Sequence, residues 1–173
     1  MATRRRNALY RAIGIVGTSR IITRIHPLVY RITGGRWFVG RNFGVQNVIV
    51  TMTGRKTGKT REVPLYAFAD GHRMVVIGSR AGGDREPAWV GNLRANPAAT
   101  LRVGREVRRV LARETDGAER DRLWALAAAG YPGYETYRER TRRRIPVIVL
   151  EPVGSPEPGA TPGPVATPEP AED

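Results

Sequence analysis

Residues 47–69 read NVIVTMTGRKTGKTREVPLYAFA, and the way this stretch divides decides the fold. Its first seven residues are mostly β-branched or apolar, as a strand requires. Its centre, GRKTGKTR at 54–61, is polar and basic and holds two glycines. Its end, EVPLYAFA at 62–69, returns to strand-like character. The centre invites comparison with the phosphate-binding pattern G-x-x-x-x-G-K-[ST], which joins a strand to a helix. Here only three residues separate Gly54 from Gly58, one too few, and a strand follows where a helix is needed. The NTPase reading is rejected, and the stretch is predicted to be strand, basic loop, strand.

Working outward, Asp70-Gly71 is a hairpin turn signal and residues 73–79 (RMVVIGS) are the returning strand. Pro87 and Trp89 open a short helix that closes near Asn96-Pro97. Residues 98–103 and 106–112 form a second hairpin around Gly104. Residues 118–129 form an Ala/Leu-rich helix, to whose core Trp124 is assigned, and 145–150 (IPVIVL) a last strand. About six mostly antiparallel strands with peripheral helices predict an α+β fold on an antiparallel sheet or small barrel. No internal repeat is evident.

Upstream, residues 5–33 read as helical. Ile21, Ile22, Ile25, Leu28, Val29 and Ile32 recur at helical spacing, with Arg20, Arg24 and Arg31 mostly elsewhere on the wheel. Pro27 should kink or restart the helix. Two readings stand: a helix packed on the domain, or a basic amphipathic segment resting on an anionic membrane. Downstream of residue 153 the composition turns to Pro, Ala, Thr, Gly and Glu, which cannot bury enough apolar area to fold. The expected organisation is a basic amphipathic segment at 1–33, a cofactor-binding domain at 34–153 and a disordered tail at 154–173.

The formal net charge is +13, unevenly placed. Residues 1–61 carry 13 bases and no acid, the first acid being Glu62, while four acids and no base lie in the tail. Such a field attracts nucleic acid, a membrane surface or an anionic small molecule. No helix-turn-helix, RNP or zinc-finger pattern supports nucleic acid. Absence of cysteine excludes disulfides, thiolate metal sites and a thiol nucleophile. No metal-ligand spacing is evident, and His26 and His72 are not expected to be catalytic. With no secretory signal and no apolar run near ~20 residues, a cytoplasmic location is expected, with peripheral contact at the inner membrane face if residues 1–33 bind lipid.

The loop 54–61 carries the chemistry. Arg55, Lys56, Thr57, Lys59 and Arg61 can meet an anion through side chains, and the glycines let backbone N–H groups approach. Of the 29 basic residues only two are lysines, Lys56 and Lys59, and both lie here. A chain that otherwise uses arginine has placed compact ammonium charges in one Gly-rich loop.

These segments together resemble a known family. TGRKTGKTREVPL at 53–65, the Asp70-Gly71 turn, VVIGSRAGG at 75–83, PAWVGNLRANP at 87–97 and YPGYETYRERTRRRIPVIVLEP at 131–152 are similar to the nitroreductase-type deazaflavin-dependent oxidoreductases of actinobacteria. The resemblance implies a split β-barrel of the FMN-binding type and coenzyme F420, a deazaflavin with a phosphate and an oligoglutamate tail. By the same resemblance Arg55, Lys56, Thr57, Gly58, Lys59 and Arg61 hold the phosphate and tail. Ile77, Gly78, Ser79 and Arg80 line the ring, partly through backbone groups, and Trp89 and Asn92 close the site from the other side. Tyr131, Tyr134 and Tyr137 border the substrate pocket. The chain departs from the usual pattern at Arg80-Ala81 and at Val90-Gly91, which bears on the substrate more than on the cofactor.

The reading that follows is an enzyme. Reduced F420 would give a hydride to a quinone, nitroaromatic or activated alkene, with Ser79 or one of the three tyrosines donating a hydrogen bond to the acceptor oxygen. A quinone is the expected natural acceptor. FMN on the same barrel and a non-catalytic cofactor carrier are the alternatives, and a homodimer is compatible with the fold. The arginines at 138, 140, 142, 143 and 144 are read as a solvated face.

Overall fold

The computed structural model describes residues 45–154. The expected N-terminal helix and C-terminal tail lie outside the described residues. The strands are β1 (Val45–Thr53), β2 (Thr60–Asp70), β3 (Arg73–Ile77), β4 (Ala98–Val103), β5 (Glu106–Glu114) and β6 (Val147–Pro152). The helices are α1 (Ala88–Ala95), α2 (Gly117–Gly130) and α3 (Gly133–Arg140), and a 3-10 turn occupies Arg80–Gly82. The sheet closes into a barrel in the order β1-β2-β3-β6-β5-β4, every neighbouring pair antiparallel.

Strand periodicity explains the two cores. Side chains alternate across a strand, so Val48, Val50 and Met52 of β1 share one face. In register beside them stand Leu65 and Val63 of β2 and Leu101 of β4. They pack with Val76, Val110, Ile148 and Leu150, and α1 adds Trp89, Val90 and Leu93 to the same cluster. The opposite faces of β2, β3 and β6 carry Phe68, Val75, Ile77, Val147 and Val149. These are covered by Leu123, Trp124 and Ala127 of α2 and by Tyr134 and Tyr137 of α3. Strands buried on both faces read as continuous apolar runs, as VVI and VIVL do. β5 is not covered in this way. It reads EVRRVLARE, mixing Val and Leu with arginine, and Val107 and Leu111 are exposed while Val110 is buried. Each fully buried Val, Leu or Ile contributes about 1.5–3 kcal/mol, so the two clusters carry the fold.

The structure moves several expected boundaries for identifiable reasons. β3 stops at Ile77 because Pro146, next in register, accepts the Gly78 N–H (2.9 Å) but has no N–H to return, and the chain then turns. β6 starts at Val147, after a proline that cannot donate to the ladder. β2 begins two residues before and ends one residue after its expected limits, and β5 ends two residues after its own. Between α2 and β6, Pro132 caps a new helix rather than preventing one. Tyr131 therefore ends α2, and Tyr134 and Tyr137 lie one turn apart on α3.

Candidate cofactor and acceptor site

The loop between β1 and β2 folds on itself. Gly54 N–H donates to Lys59 O (2.9 Å), and the N–H groups of Thr57 and Gly58 donate to Gly54 O (3.2 and 2.8 Å). Gly58 takes a left-handed conformation (φ 67°), which a side chain would resist. The hydroxyl of Thr57 accepts from Lys59 N–H (3.4 Å) and from Arg61 Nη2 (3.5 Å). The backbone is thus tied down while Arg55, Lys56, Lys59 and Arg61 stay exposed. Among the described residues no carboxylate forms an ion pair with any of the four. Four cations with no acidic partner on a fixed loop suit a multiply charged anion.

Helix α1 links this loop to the next part of the site. Asn92 Oδ1 accepts the Arg55 N–H (3.2 Å), so Asn92 holds the loop rather than projecting alone. Arg55 folds its guanidinium over Gly91, where a Cβ would overlap Nη1. The residue before Gly91, Val90, packs against Gly78, where a Cβ would lie 3.0 Å from Val90 Cγ2. One helix of eight residues therefore touches the basic loop and the segment after β3.

That segment, 78–83, is strained. Ser79 is right-handed (φ −73°, ψ −40°), and Arg80 and Ala81 follow with φ of 47° and 54°. Two consecutive non-glycine residues in the left-handed region cost about 1–3 kcal/mol each. A right-handed residue followed by left-handed ones turns successive N–H groups toward one side, a concavity suited to electronegative atoms. Gly82 is also left-handed (φ 77°) and is pressed against α3, where a Cβ would lie 2.8 Å from Tyr137 O. The Ser79 hydroxyl does not cap the 3-10 turn.

The strain is held from the other side by a residue assigned above to a solvated face. Arg138, Arg140, Arg142 and Arg144 are exposed, as expected, but Arg143 is half-buried. Its Nε donates to Gly83 O (2.9 Å), and its Nη2 donates to Gly78 O (3.0 Å) and Ser79 O (2.6 Å). Burial and the neighbouring Arg80 lower its basicity, and Glu86 and Asp84 act against this. Nothing in the run of arginines marks this one out, because its partners are backbone carbonyls about 60 residues away in sequence.

The tyrosines divide. The rings of Tyr131 and Tyr137 are 6.2 Å apart, and their hydroxyls share a hydrogen bond of 3.1 Å. Burial, followed by the bond to Tyr137, pushes the Tyr131 phenol well above its ordinary range. It stays protonated at neutral pH and can donate. Tyr134 and Tyr137 correct the expectation for all three: each is 4% exposed and belongs to the core, Tyr134 packing edge-on against Phe68 with Trp124 beside it. Only Tyr131 is half-buried. Trp124 is also buried, as expected, and its Nε1 donates to Glu135 (2.7 Å). Trp89 and Ile77 likewise belong to the hydrophobic clusters, so Ile77 can face a ligand only through its backbone.

The structure thus brings Arg55, Lys56, Thr57, Gly58, Lys59, Arg61 and Asn92 together around the loop. α1 joins these to Gly78, Ser79 and Arg80, and α3 joins that turn to Tyr137 and Tyr131. Two hollows of about 190 and 260 Å³ lie elsewhere, one beside Leu93 and Glu114, the other outside β1 and β4 between Thr51 and Arg109. No group of three or more His, Cys, Asp or Glu among the described residues is arranged to hold a metal. Four exposed cations with no carboxylate partner among the described residues have the chemistry to hold a phosphate and a carboxylate tail, and the 78–83 turn offers backbone donors to an electronegative group.

Comparison with known proteins bears on this geometry. Residues 22–152 match the family described as F420H(2)-dependent quinone reductase. An F420H(2)-dependent quinone reductase of Mycobacterium tuberculosis (strain H37Rv) is 33% identical over 134 residues, 75% of this chain and 89% of the relative. A solved F420-H2 dependent reductase (FDR-A) is 37% identical with a TM-score of 0.58, covering 61% of this chain and 94% of its own. A solved domain-swapped dimer is 33% identical with a TM-score of 0.60, covering 73% of this chain and 96% of its own. The barrel, the basic loop and the 78–83 turn therefore belong to a protein of the F420H(2)-dependent quinone reductase family.

Proposed function

We propose that this protein is a reductase that uses reduced F420 to deliver a hydride to a quinone. The observation that carries the reading is the fixed loop 54–61, whose Arg55, Lys56, Lys59 and Arg61 are exposed without acidic partners among the described residues. When bound, the deazaflavin supplies the hydride. The chain supplies the rest. Loop cations bind the phosphate and acidic tail, and the 78–83 turn orients the ring. Ser79 or Tyr131 donates a hydrogen bond to the acceptor oxygen as negative charge develops there. The raised Tyr131 phenol suits a donor and not a base. FMN has only one phosphate for the same four cations.

The test is titration of purified protein with oxidised and reduced F420 beside FMN and NADPH, followed by turnover with menaquinone analogues and nitroaromatics. F420 binding with quinone turnover is expected, and a large preference for FMN would sink the assignment. The reading extends to a lipid-soluble quinone met at the membrane surface through the basic residues 1–33. Deleting them should lower partitioning onto anionic vesicles, and unchanged partitioning would remove that extension. No helix among the described residues is long and apolar enough to cross a membrane. A homodimer is proposed with it, by likeness to the domain-swapped relative, and light scattering tests it.

A further inference from the structure

The guanidinium of Arg143 touches no carboxylate within ion-pair distance among the described residues. Its Nε and Nη2 are spent on three carbonyls of one turn, Gly78, Ser79 and Gly83, while Nη1 is buried without a partner among the described residues. Those carbonyls bracket the two left-handed residues Arg80 and Ala81. The turn's own bonds are few: Gly82 N–H to Ser79 O (3.0 Å) and Gly83 N–H to Arg80 O (3.0 Å). Nothing in these two bonds forces Arg80 and Ala81 out of the ordinary right-handed region. An external clamp is needed, and Arg143 is anchored for that task. Two residues later the chain is fastened by burial of Ile145 (2% exposed), and then by the bond from Gly78 N–H to Pro146 O.

The clamp also acts electrically. A trans peptide points its C=O and N–H in opposite directions. A cation on the Ser79 carbonyl polarises the N–H at the far end of the same peptide, which belongs to Arg80. The peptide after Gly78 has its N–H occupied at Ile77 O (2.9 Å), so the Arg80 N–H, and on the Gly83 peptide the Asp84 N–H, are the donors this polarisation strengthens, and only the first lies in the left-handed turn.

We infer that Arg143 is a positioning residue for the cofactor ring, holding the 78–83 turn in its strained shape and charging the Arg80 N–H that the turn presents. The inference rests on the F420 reading above. Because a reduced ring has gained a hydride, a strengthened donor beside it weighs the reduced and oxidised forms differently. Loop cations on the phosphate do not.

The experiment compares wild type with Arg143→Met and Arg143→Lys. In protein without cofactor, hydrogen exchange at residues 78–84 should speed up by about tenfold or more in Arg143→Met, with the barrel strands unchanged. In loaded protein kcat should fall by roughly 100-fold, the scale of a misplaced reacting ring. The ratio of Kd for reduced to oxidised F420 should shift as well. Arg143→Lys keeps a charge but not a fork and should lie between. If Arg143→Met fails to fold, Arg143→Lys alone decides. Faster exchange with unchanged kcat and unchanged Kd ratio would mean a purely structural part and would overturn the inference. Wild-type exchange in the variant would overturn it too. Wild-type protein that bound no F420 would overturn the functional reading itself, a result distinct from binding that Arg143 does not influence.

Discussion

Two basic regions of this barrel use charge in opposite ways. In the loop 54–61 four cations meet no carboxylate among the described residues. Around the β2–β3 turn, Arg73, Arg113 and Arg122 share Asp70, Glu119 and Glu151. Asp70 receives Arg122 through both carboxylate oxygens (2.7 and 3.0 Å) and Arg73 as well, while Arg113 bonds Glu119 (2.8 Å) and Glu151 (3.1 Å). This network fastens α2 to β2, β5 and β6. Its charges are satisfied inside the molecule and have nothing left for a ligand. The loop's charges meet no carboxylate among the described residues, and its shape comes mainly from backbone bonds. A high arginine content therefore says little about binding until each side chain's partner is known.

The largest effect should come from inverting the unpaired region. Lys56→Glu combined with Arg61→Glu should weaken F420 binding by about 1–3 kcal/mol per residue that contacts the anion. Thermal stability should hold, because neither side chain has an ion-pair partner to lose. Isothermal titration and a melting curve measure both. Loss of stability with unchanged affinity would reverse the roles given to the two regions.

Asp70→Asn attacks the paired region, and the expected loss is about 1–2 kcal/mol at neutral pH with F420 affinity unchanged. The hydrogen bond from Arg122, backed by Arg73, holds the Asp70 carboxyl at about 2, below its ordinary 3.8. A depressed carboxyl contributes its full stability above the unfolded value and loses it as pH falls through the folded one. The stability gap between wild type and Asp70→Asn should thus be constant above about pH 4 and close toward pH 2. Urea melts across that range measure it, and a gap independent of pH would remove Asp70 from the network's centre.

How much of this was legible follows from the same contrast. The loop could be read because its signal is local: two glycines, the only two lysines of the chain, and strand patterns on either side. The strands could be read because their apolar, β-branched runs and the Asp70-Gly71 turn are local too, while closure into a split barrel was legible only through the resemblance to a known family. The network could not, since Asp70 and Arg122 are 52 residues apart and nothing in either neighbourhood names the other. Arg143 was hidden for a related reason. In TRRR its neighbours Arg142 and Arg144 are the same residue with opposite exposure, and only tertiary packing selects the one that turns inward. Tyr134 shares a spacing of three with Tyr131 and Tyr137. Spacing alone could not say that the middle ring faces Phe68 and Trp124 rather than a pocket.

The smallest expected effect is the sharpest on the comparison, because stability and affinity should move in opposite directions. Gly91 lies inside α1, where exchanging glycine for alanine ordinarily stabilises a helix by about 0.5–1 kcal/mol. The new Cβ would overlap Arg55 Nη1, the free end of a flexible side chain, so the guanidinium and not the backbone must give way. Gly91→Ala should raise the melting temperature slightly and weaken F420 binding by a few-fold, since one of the four unpaired cations loses its seat on α1. If affinity is unchanged while stability rises, Arg55 binds from elsewhere in its range, and the seat on Gly91 is a resting place of the empty loop. A fall in stability instead would mean that Arg55 cannot leave, and that the loop is held to α1 by its guanidinium as well as by the Asn92 bond.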